Sequence, residues 1–212
     1  MIDISIAVRP GTPEWPGDTA FTCGWPATIA GGASVNVSSI TSSPHVGTHA
    51  DAPLHVKDGW PGSHELPLEV FFGPALVLDV SDAREDISLE RLAMACDAAD
   101  IALQDAPRLL LRTGRTIADG TFPADWPVLA ESTARALLGY GVKLIGVDAP
   151  SVDARESKTL PVHHMLFSGN AFNLENLDLR RVKSGVYELI AFPQRIMSLD
   201  ASPVRAVLVA DA

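Results

Sequence analysis

The segment 43–56 carries the side chains whose types and spacing are most suited to chemistry. It reads SPHVGTHADAPLHV and holds three of the chain's six histidines, His45, His49 and His55, with Asp51 between them. Its prolines and glycine disfavour a continuous helix, and an extended chain would place these four groups on one face. Imidazole nitrogens and carboxylate oxygens are good zinc ligands, and a carboxylate can bridge two ions. The pattern therefore predicts a metal site, the alternative being a solvated, histidine-rich strand face.

A second group of candidate ligands lies further along the chain. His163 and His164 are adjacent, and Glu175 follows in the run FNLENL. Because neighbouring residues on a strand face opposite ways, we expect only one of the two histidines to reach a given site, and the spacing does not select which. His64, in the loop sequence PGSHELP, is expected to be a surface histidine.

Two further side chains each have a functional and a structural interpretation. Trp15, in PEWPGD, is either a packing residue or an apolar wall for an aromatic substrate. Asp148 follows the apolar run VKLIGV, and the interpretation we favour there is a helix cap rather than a site residue.

Composition and absent motifs exclude several classes of protein. The 212 residues are 47% hydrophobic and 20% charged, which is typical of a globular chain, and the net charge of −10 without a basic cluster argues against nucleic-acid binding and anionic membranes. No serine-nucleophile elbow, dinucleotide or Walker A loop, or H-E-x-x-H pair occurs. The chain has two well-separated cysteines, Cys23 and Cys96, and we find no apolar leader or membrane-spanning segment in the sequence. These features predict a cytoplasmic protein with reduced thiols.

The elements that must position these groups are mostly strands. A polar cap at Ser88 followed by apolar residues at helical spacing predicts one helix, and a second is expected over about 131–138, ending at Gly139 and Gly141. The segment 151–172 has little periodicity and is expected to be a loop near the site. We predict one domain, 1–212, of the α/β class (mixed α+β), with a mixed sheet and few flanking helices. Strands are expected at 75–80, 108–112, 142–147, 186–192 and 204–209.

Several of these motifs resemble those of the bacterial kynurenine formamidases, within the wider metal-dependent cyclase family. The resemblance rests on SPHVGTHADAPLH, the upstream PEWPGD, ESKT, the HH pair with Glu175 twelve residues after its first histidine, YELIAFPQR and LDASPVRAVL. It covers nearly the whole chain. It implies a swivelling β/β/α domain, a homodimer, and hydrolysis of N-formyl-L-kynurenine to L-kynurenine and formate.

The resemblance also implies roles for particular residues. His45, His49 and Asp51 would hold a first zinc, while Asp51 and Glu175 would bridge to a second zinc that His163 also binds. His55 would be the proton shuttle for a metal-activated hydroxide, and Trp15 would line the substrate pocket. Two zinc ions per subunit are expected, although such ligands also accept Mn, Co or Fe.

One departure and two alternatives accompany this interpretation. Asn176 follows the expected bridging glutamate where family members commonly have glycine, which bears on substrate preference. A sibling hydrolase of the isatin-hydrolase type would share the metal face and differ in the pocket. A non-enzymatic structural zinc module is the other alternative, but structural zinc sites are usually closed and rich in cysteine.

Overall fold

The computed structural model describes residues 1–84 and 86–210. Within them, nine strands form one sheet, two form a separate hairpin and three α-helices flank the sheet. The strands are β1 (Ile2–Asp3), β2 (Thr22–Ala27), β3 (Val37–Thr41), β4 (His49–Asp51), β5 (Phe72–Asp79), β6 (Arg108–Arg112), β7 (Leu144–Val147), β8 (Phe172–Glu175), β9 (Gly185–Ile190), β10 (Ala201–Pro203) and β11 (Val207–Val209). The helices are α1 (Leu89–Ala99), α2 (Glu131–Gly139) and α3 (Pro161–Ser168).

The large sheet is mixed, with the order β1-β11-β9-β5-β6-β7-β8-β4-β10. The four strands β5 to β8 are parallel neighbours in chain order, and all other pairs are antiparallel. The three connecting helices contribute buried side chains to one core and therefore lie on the same face of the sheet, as crossovers of one hand between successive parallel strands require. The expected mixed sheet with few flanking helices is confirmed.

Both faces of the central strands are buried. Along β5, Leu76 and Leu78 pack into the core beneath the helices, whereas Ala75 and Val77 belong to a second core on the opposite face. Strands buried on both sides have continuous apolar sequences rather than alternating ones, which explains why the runs in β5, β6 and β7 were recognisable.

The first helix begins at the cap that the sequence indicates, and the second lies within one residue of its expected bounds. The hydroxyl of Ser88 accepts a hydrogen bond from the backbone N–H of Arg91 at the start of α1, and Cys96 is buried on this helix. After α2, Gly141 adopts a φ of +84°, a left-handed conformation that favours glycine.

The segment 151–172 was expected to be a loop, and this expectation was wrong for residues Pro161–Ser168. They form α3, which begins with proline at its first position. The carboxylate of Asp153 accepts hydrogen bonds from the backbone N–H groups of Val162 and His163 and so caps the helix from the preceding loop. This contact across the loop replaces the N-cap side chain by which helix starts are recognised in a sequence.

Strands β2 and β3 form a hairpin outside the large sheet, and its apolar side chains include the exposed Trp25 and Ile40. Among the described residues, no helix has both the length and the apolar character needed to cross a membrane.

Candidate metal centre and active site

Strand β4 is the scaffold of the candidate metal centre. His49 and Asp51 are two residues apart on this strand and therefore face the same way. His49 lies opposite Glu175 of β8, and Asp51 lies opposite Ala201 of β10. Three adjacent strands thus align the carboxylates and imidazole, and the side chains of His49, Asp51 and Glu175 are buried.

The extended conformation expected for the whole segment 45–55 was wrong outside β4. His45 lies in a turn before the strand, and His55 ends a 3₁₀ turn over Pro53–His55. In the first turn, Gly47 has a φ of +77°, and a Cβ there would lie 2.4 Å from the side chain of Val8. The chain bends at both ends of β4, which brings the two outer histidines toward the strand's polar face.

The first group of possible ligands consists of His45, His49 and Asp51. Nδ1 of His45 lies 3.1 Å from Nε2 of His49 and 3.0 Å from Oδ1 of Asp51, and the latter two atoms are 3.3 Å apart. Ligands at the Zn–N distance of about 2.0–2.1 Å in a tetrahedral site are about 3.3 Å from one another, so this spacing suits zinc. Oδ1 of Asp51 is buried and has no hydrogen bond of acceptable geometry, because these atoms face a common point rather than each other.

The second group consists of Asp51, His163 and Glu175. Nε2 of His163 lies 3.3 Å from Oδ2 of Asp51 and 3.3 Å from Oε1 of Glu175. Asp51 therefore offers one oxygen to each group. A carboxylate shared in this way fits two neighbouring cations. The donors are imidazoles and carboxylates without cysteine, a set that is more typical of an open site than of a closed structural zinc site.

Each histidine of the two groups is oriented by a second partner on its other ring nitrogen. Nδ1 of His49 is 2.9 Å from the carbonyl of Gly47, and Nδ1 of His163 is 2.7 Å from Oδ2 of Asp153. Nε2 of His45 is 2.9 Å from Oδ2 of Asp200. Metal-binding histidines commonly donate their second N–H to a carboxylate or carbonyl in this manner, which fixes the tautomer.

The electrostatics of the protein groups also fit a cationic occupant. Burial alone favours neutral imidazole, but the nearby carboxylates of Asp200 and Asp51 raise the pKa of His45 to about 10. Burial likewise opposes charge on His163, yet Asp153, Asp51 and Glu175 raise its pKa well above the ordinary value. Burial disfavours an ionised Asp51, and His49 together with its other histidine partners nevertheless lowers its pKa well below the ordinary range. Metals compete with such protons for the same nitrogens.

The structure brings His163 to the site and leaves His164 outside. Both lie on α3 rather than on a strand, so the premise that adjacent residues face opposite ways was wrong, although only one of them enters. His164 packs against Trp60, with ring centroids 6.1 Å apart. His64, in the 3₁₀ turn Ser63–Glu65, lies outside both ligand groups and is partly buried rather than fully exposed.

Asn173 was not recognised in the sequence. Its amide nitrogen is 2.6 Å from Oδ2 of Asp51, 3.0 Å from Oε1 of Glu175 and 3.4 Å from Nε2 of His163. Asn173 is two residues before Glu175 on β8, so both side chains lie on the same face of the strand. This spacing could have identified Asn173 as a site residue. Asp153 and Asp200 were also missed, because neither lies near another candidate ligand in the sequence.

A cavity of about 670 Å³ opens above the two ligand groups. The imidazole of His55 lies on its wall, partly exposed, with Nδ1 3.0 Å from Oδ2 of Asp200. Trp15 also lines the cavity and packs edge-on against Phe122 and Trp126, at centroid distances of 5.5 and 5.8 Å. Trp15 therefore both packs and forms a wall.

Comparison with known proteins places this geometry in a family. The sequence family described as "Putative cyclase" matches residues 2–154, which is most of the chain. The chain belongs to the cyclase family. It is 44% identical over 207 residues to the kynurenine formamidase of Bordetella avium, covering 97% of this chain and 96% of that protein. It is 42% identical over 214 residues to the kynurenine formamidase of Salinibacter ruber, covering 98% and 96%.

Solved structures with the same fold include other members of this group. A potential metal-dependent hydrolase with cyclase activity superposes with a TM-score of 0.80 at 27% identity, covering 97% of this chain and 95% of its own. Isatin hydrolase A from Labrenzia aggregata gives a TM-score of 0.79 at 25% identity, covering 99% and 93%. The metal-dependent neighbours and the two ligand groups together support a metal site in this cyclase-family chain.

The departure at Asn176 has a structural explanation in this cyclase-family fold. Asn176 has a φ of +55°, and asparagine is, after glycine, among the residues that best tolerate the left-handed region. Its backbone carbonyl accepts a hydrogen bond of 2.6 Å from Thr48, and its backbone N–H donates to Ala149. Its side-chain oxygen is buried on the cavity wall without a partner.

The helix cap expected at Asp148 was wrong. Its carboxylate is buried and accepts hydrogen bonds from the backbone and hydroxyl of Thr113 and the backbone of Gly114. Burial raises the pKa of Asp148. Asp148 therefore holds the loop after β6 rather than a helix.

Proposed function

We propose that this chain is a kynurenine formamidase, an enzyme that hydrolyses N-formyl-L-kynurenine to L-kynurenine and formate. The observation that carries the proposal is Asp51, whose two oxygens face two separate ligand groups beneath an aromatic-walled cavity. Relatives that are 42–44% identical over nearly the full length bear this name.

The proposed metal ligands divide into two sets. His45, His49 and Asp51 hold a first zinc, and Asp51, His163 and Glu175 hold a second, giving two ions per subunit. Zinc bound there supplies Lewis acidity, which lowers the pKa of water and polarises a carbonyl oxygen. Asp153, through Nδ1 of His163, keeps Nε2 of that ring directed at the second set.

We assign proton transfer to His55. Its Nδ1 donates to Asp200, so Nε2 is the ring nitrogen that is free to accept a proton. During hydrolysis, water adds to the formyl carbon and gives a proton to Nε2. The C–N bond then breaks, Nε2 returns the proton to the leaving aromatic amine, and formic acid departs and ionises to formate by losing its proton to water.

The cavity suits a substrate that combines an aromatic ring with an amino-acid tail. Trp15 and Phe122 provide an apolar wall for the ring. Arg155 and Lys158, both on the cavity lining, are suited to the tail carboxylate, and Glu14 on the same lining is suited to its ammonium group.

We further propose that the chain works as a homodimer in the cytoplasm. The exposed apolar side chains of the β2–β3 hairpin, including Trp25 and Ile40, provide a surface that a second copy could cover. The acidic composition with only two cysteines supports the cytoplasmic location. Light scattering of the wild type and of a Trp25→Ser/Ile40→Ser variant tests the dimer.

The decisive experiment is a turnover assay. Protein stripped of metal is titrated with zinc in the presence of N-formyl-L-kynurenine, while kynurenine absorbance and formate release are followed. Activity that saturates near two ions per chain supports the function and both ligand sets, and saturation at one ion removes the second set.

Isatin serves as the comparison substrate in the same assay. It is favoured as a second candidate by the structural similarity to isatin hydrolase A. Turnover of isatin without turnover of N-formyl-L-kynurenine contradicts the proposed function and leaves the metal sites in place.

A further inference from the structure

One carboxylate oxygen contacts two imidazoles at the rim of the metal centre. Oδ2 of Asp200 lies 2.9 Å from Nε2 of His45 and 3.0 Å from Nδ1 of His55. The rings of these two histidines are neighbours, with centroids 4.4 Å apart. An ionised carboxylate only accepts hydrogen bonds, so both facing ring nitrogens must carry hydrogen.

The backbone holds Asp200 in this position independently of its side chain. The carbonyl of Asp200 accepts a hydrogen bond of 2.8 Å from the N–H of Ala52, and the next residue, Ala201, pairs with Asp51 across β10 and β4. Changes to the Asp200 side chain therefore leave the strand pairing that supports the ligands intact.

The contact determines which nitrogen each histidine presents to the site. With hydrogen on Nε2, His45 directs the lone pair of Nδ1 toward His49 and Asp51. With hydrogen on Nδ1, His55 keeps a lone pair on Nε2. One is a proposed metal ligand and the other the proposed proton acceptor, and the same oxygen sets both tautomers.

We propose that Asp200 is a positioning residue that fixes the tautomers of His45 and His55 together and thereby couples metal binding to proton transfer. The kinetic part of this inference rests on the proposed function, whereas its tautomer and metal-affinity parts do not. A rival interpretation is a third cation held by His45, His55 and Asp200, whose ligand atoms also cluster. The two contacts of Oδ2 of Asp200 have hydrogen-bond geometry, whereas Oδ1 of Asp51, which is also close to two imidazole nitrogens, has no hydrogen bond; this difference favours hydrogen bonds at Asp200.

Asp200→Ala is the informative variant, because it removes the oxygen that accepts from both rings. Without that acceptor, the hydrogen of His55 is no longer held on Nδ1. It moves to Nε2, the nitrogen that carries hydrogen in most free imidazole side chains, and Nε2 can then no longer take a proton. We expect kcat to fall by roughly 10²–10⁴-fold with KM changed by less than about threefold, since the substrate-binding wall is untouched.

Asp200→Asn and Asp200→Glu provide the comparison. The amide oxygen of asparagine, or a carboxylate oxygen of glutamate, can accept from both rings, so we expect these variants to retain more of kcat than Asp200→Ala. In Asp200→Ala, zinc affinity should also weaken by about 10–100-fold, as it does when outer partners of ligating histidines are lost. The control is Asp58→Ala, an identical substitution at an exposed residue that is close to His55 in sequence and does not line the cavity. It should leave kcat and zinc affinity unchanged.

The tautomer of His55 can be measured without activity. Long-range ¹H–¹⁵N correlation spectra of the zinc-loaded protein should show hydrogen on Nδ1 of His55 in the wild type and on Nε2 in Asp200→Ala. Retention of the Nδ1–H form and of wild-type kcat in that variant would overturn the inference. Loss of one zinc per chain from a wild-type total of three would instead establish the third-cation interpretation. If the wild type does not hydrolyse N-formyl-L-kynurenine, the proposed function fails, and the spectra still test the role of Asp200.

Discussion

The amide nitrogen of Asn173 lies 2.6 Å from Oδ2 of Asp51, the carboxylate that both ligand groups share. The same nitrogen is 3.0 Å from Oε1 of Glu175, so one neutral NH₂ group donates to two buried carboxylates. Its partner atom, Oδ1 of Asn173, is buried without a hydrogen bond. Asn173 thus performs for the carboxylates part of what a cation at the second site would do.

Asn173→Leu should destabilise the metal-stripped protein more than the zinc-loaded one. The change removes the donor to Asp51 and Glu175, and an unsatisfied buried polar group costs about 1–3 kcal/mol, which a bound cation would offset. The measurement is the free energy of unfolding with and without zinc. Equal losses in both forms would show that the metal does not replace the amide.

His55→Ala and His49→Ala should separate proton transfer from metal binding. We expect His55→Ala to keep zinc and lose about 10²–10⁴-fold in kcat, because only acid–base assistance is removed. His49→Ala should lose zinc and turnover together. Zinc content by mass spectrometry beside the kinetic assay distinguishes them, and loss of zinc in His55→Ala would make His55 a ligand instead.

Trp15→Ala should mainly raise KM. Trp15 is 37% exposed and contributes a wall of the cavity, so its loss removes uniform binding rather than a contact to the reacting atoms. Tyr140→Ala is the control, since Tyr140 is an exposed aromatic residue that does not line the cavity. An unchanged KM in Trp15→Ala would restrict Trp15 to packing.

Asn176→Gly and Asn176→Ala should differ in stability. At a φ of +55°, glycine is unstrained, whereas alanine costs about 1–2 kcal/mol in the left-handed region. Chemical denaturation of the two variants measures this difference. A loss in the glycine variant as large as in the alanine variant would mean that side-chain contacts, not backbone conformation, dominate at this position.

The pair of Asp178 and Arg180 should give a pH-dependent contribution to stability. Arg180 donates to both carboxylate oxygens, at 2.9 and 2.8 Å, and lowers the pKa of Asp178 below 3.8. A lowered pKa contributes stability above the unfolded value and loses it as the pH falls through the folded value. Because Arg180 is half exposed, we expect less than about 1 kcal/mol.

Asp178→Asn should therefore be less stable than the wild type at neutral pH, and the difference should shrink as the pH falls below 3.8. Unfolding by urea at several pH values measures it, and Arg180→Gln should show the same dependence. A constant difference across the range would assign the effect to the backbone contacts of Asp178.

The sequence allowed the central strands and the ligand set to be predicted, for different physical reasons. Strand β6 was predicted with its observed bounds, Arg108–Arg112, because buried parallel strands have continuous apolar sequences. The ligand candidates His45, His49 and Asp51 were recognisable because they are close together in sequence. The structure shows that the facing atoms of these three side chains lie 3.0–3.3 Å from one another. That they bind a metal is our proposal.

The residues that the sequence did not reveal act across long separations. Asp200 contacts His45 and His55 from the other end of the chain, and Asp153 reaches His163 across a loop. A single carboxylate in a polar segment has no local pattern that would distinguish it. Helix α3 was missed because the carboxylate that caps it comes from a preceding loop rather than from the residue before the helix.

The position of β4 between β8 and β10 also bears on how the protein is made. The ligands His49 and Asp51 are synthesised before Glu175, and β10, which pairs with Asp51, is synthesised later still. A nascent chain that has passed Glu175 but not residue 203 holds every candidate ligand and lacks the completed strand that flanks them. Such long-range pairing forms late and slowly. Assembly of the centre is therefore deferred until β10 has been synthesised, and a ribosome-bound fragment without β10 would carry the donors without their alignment.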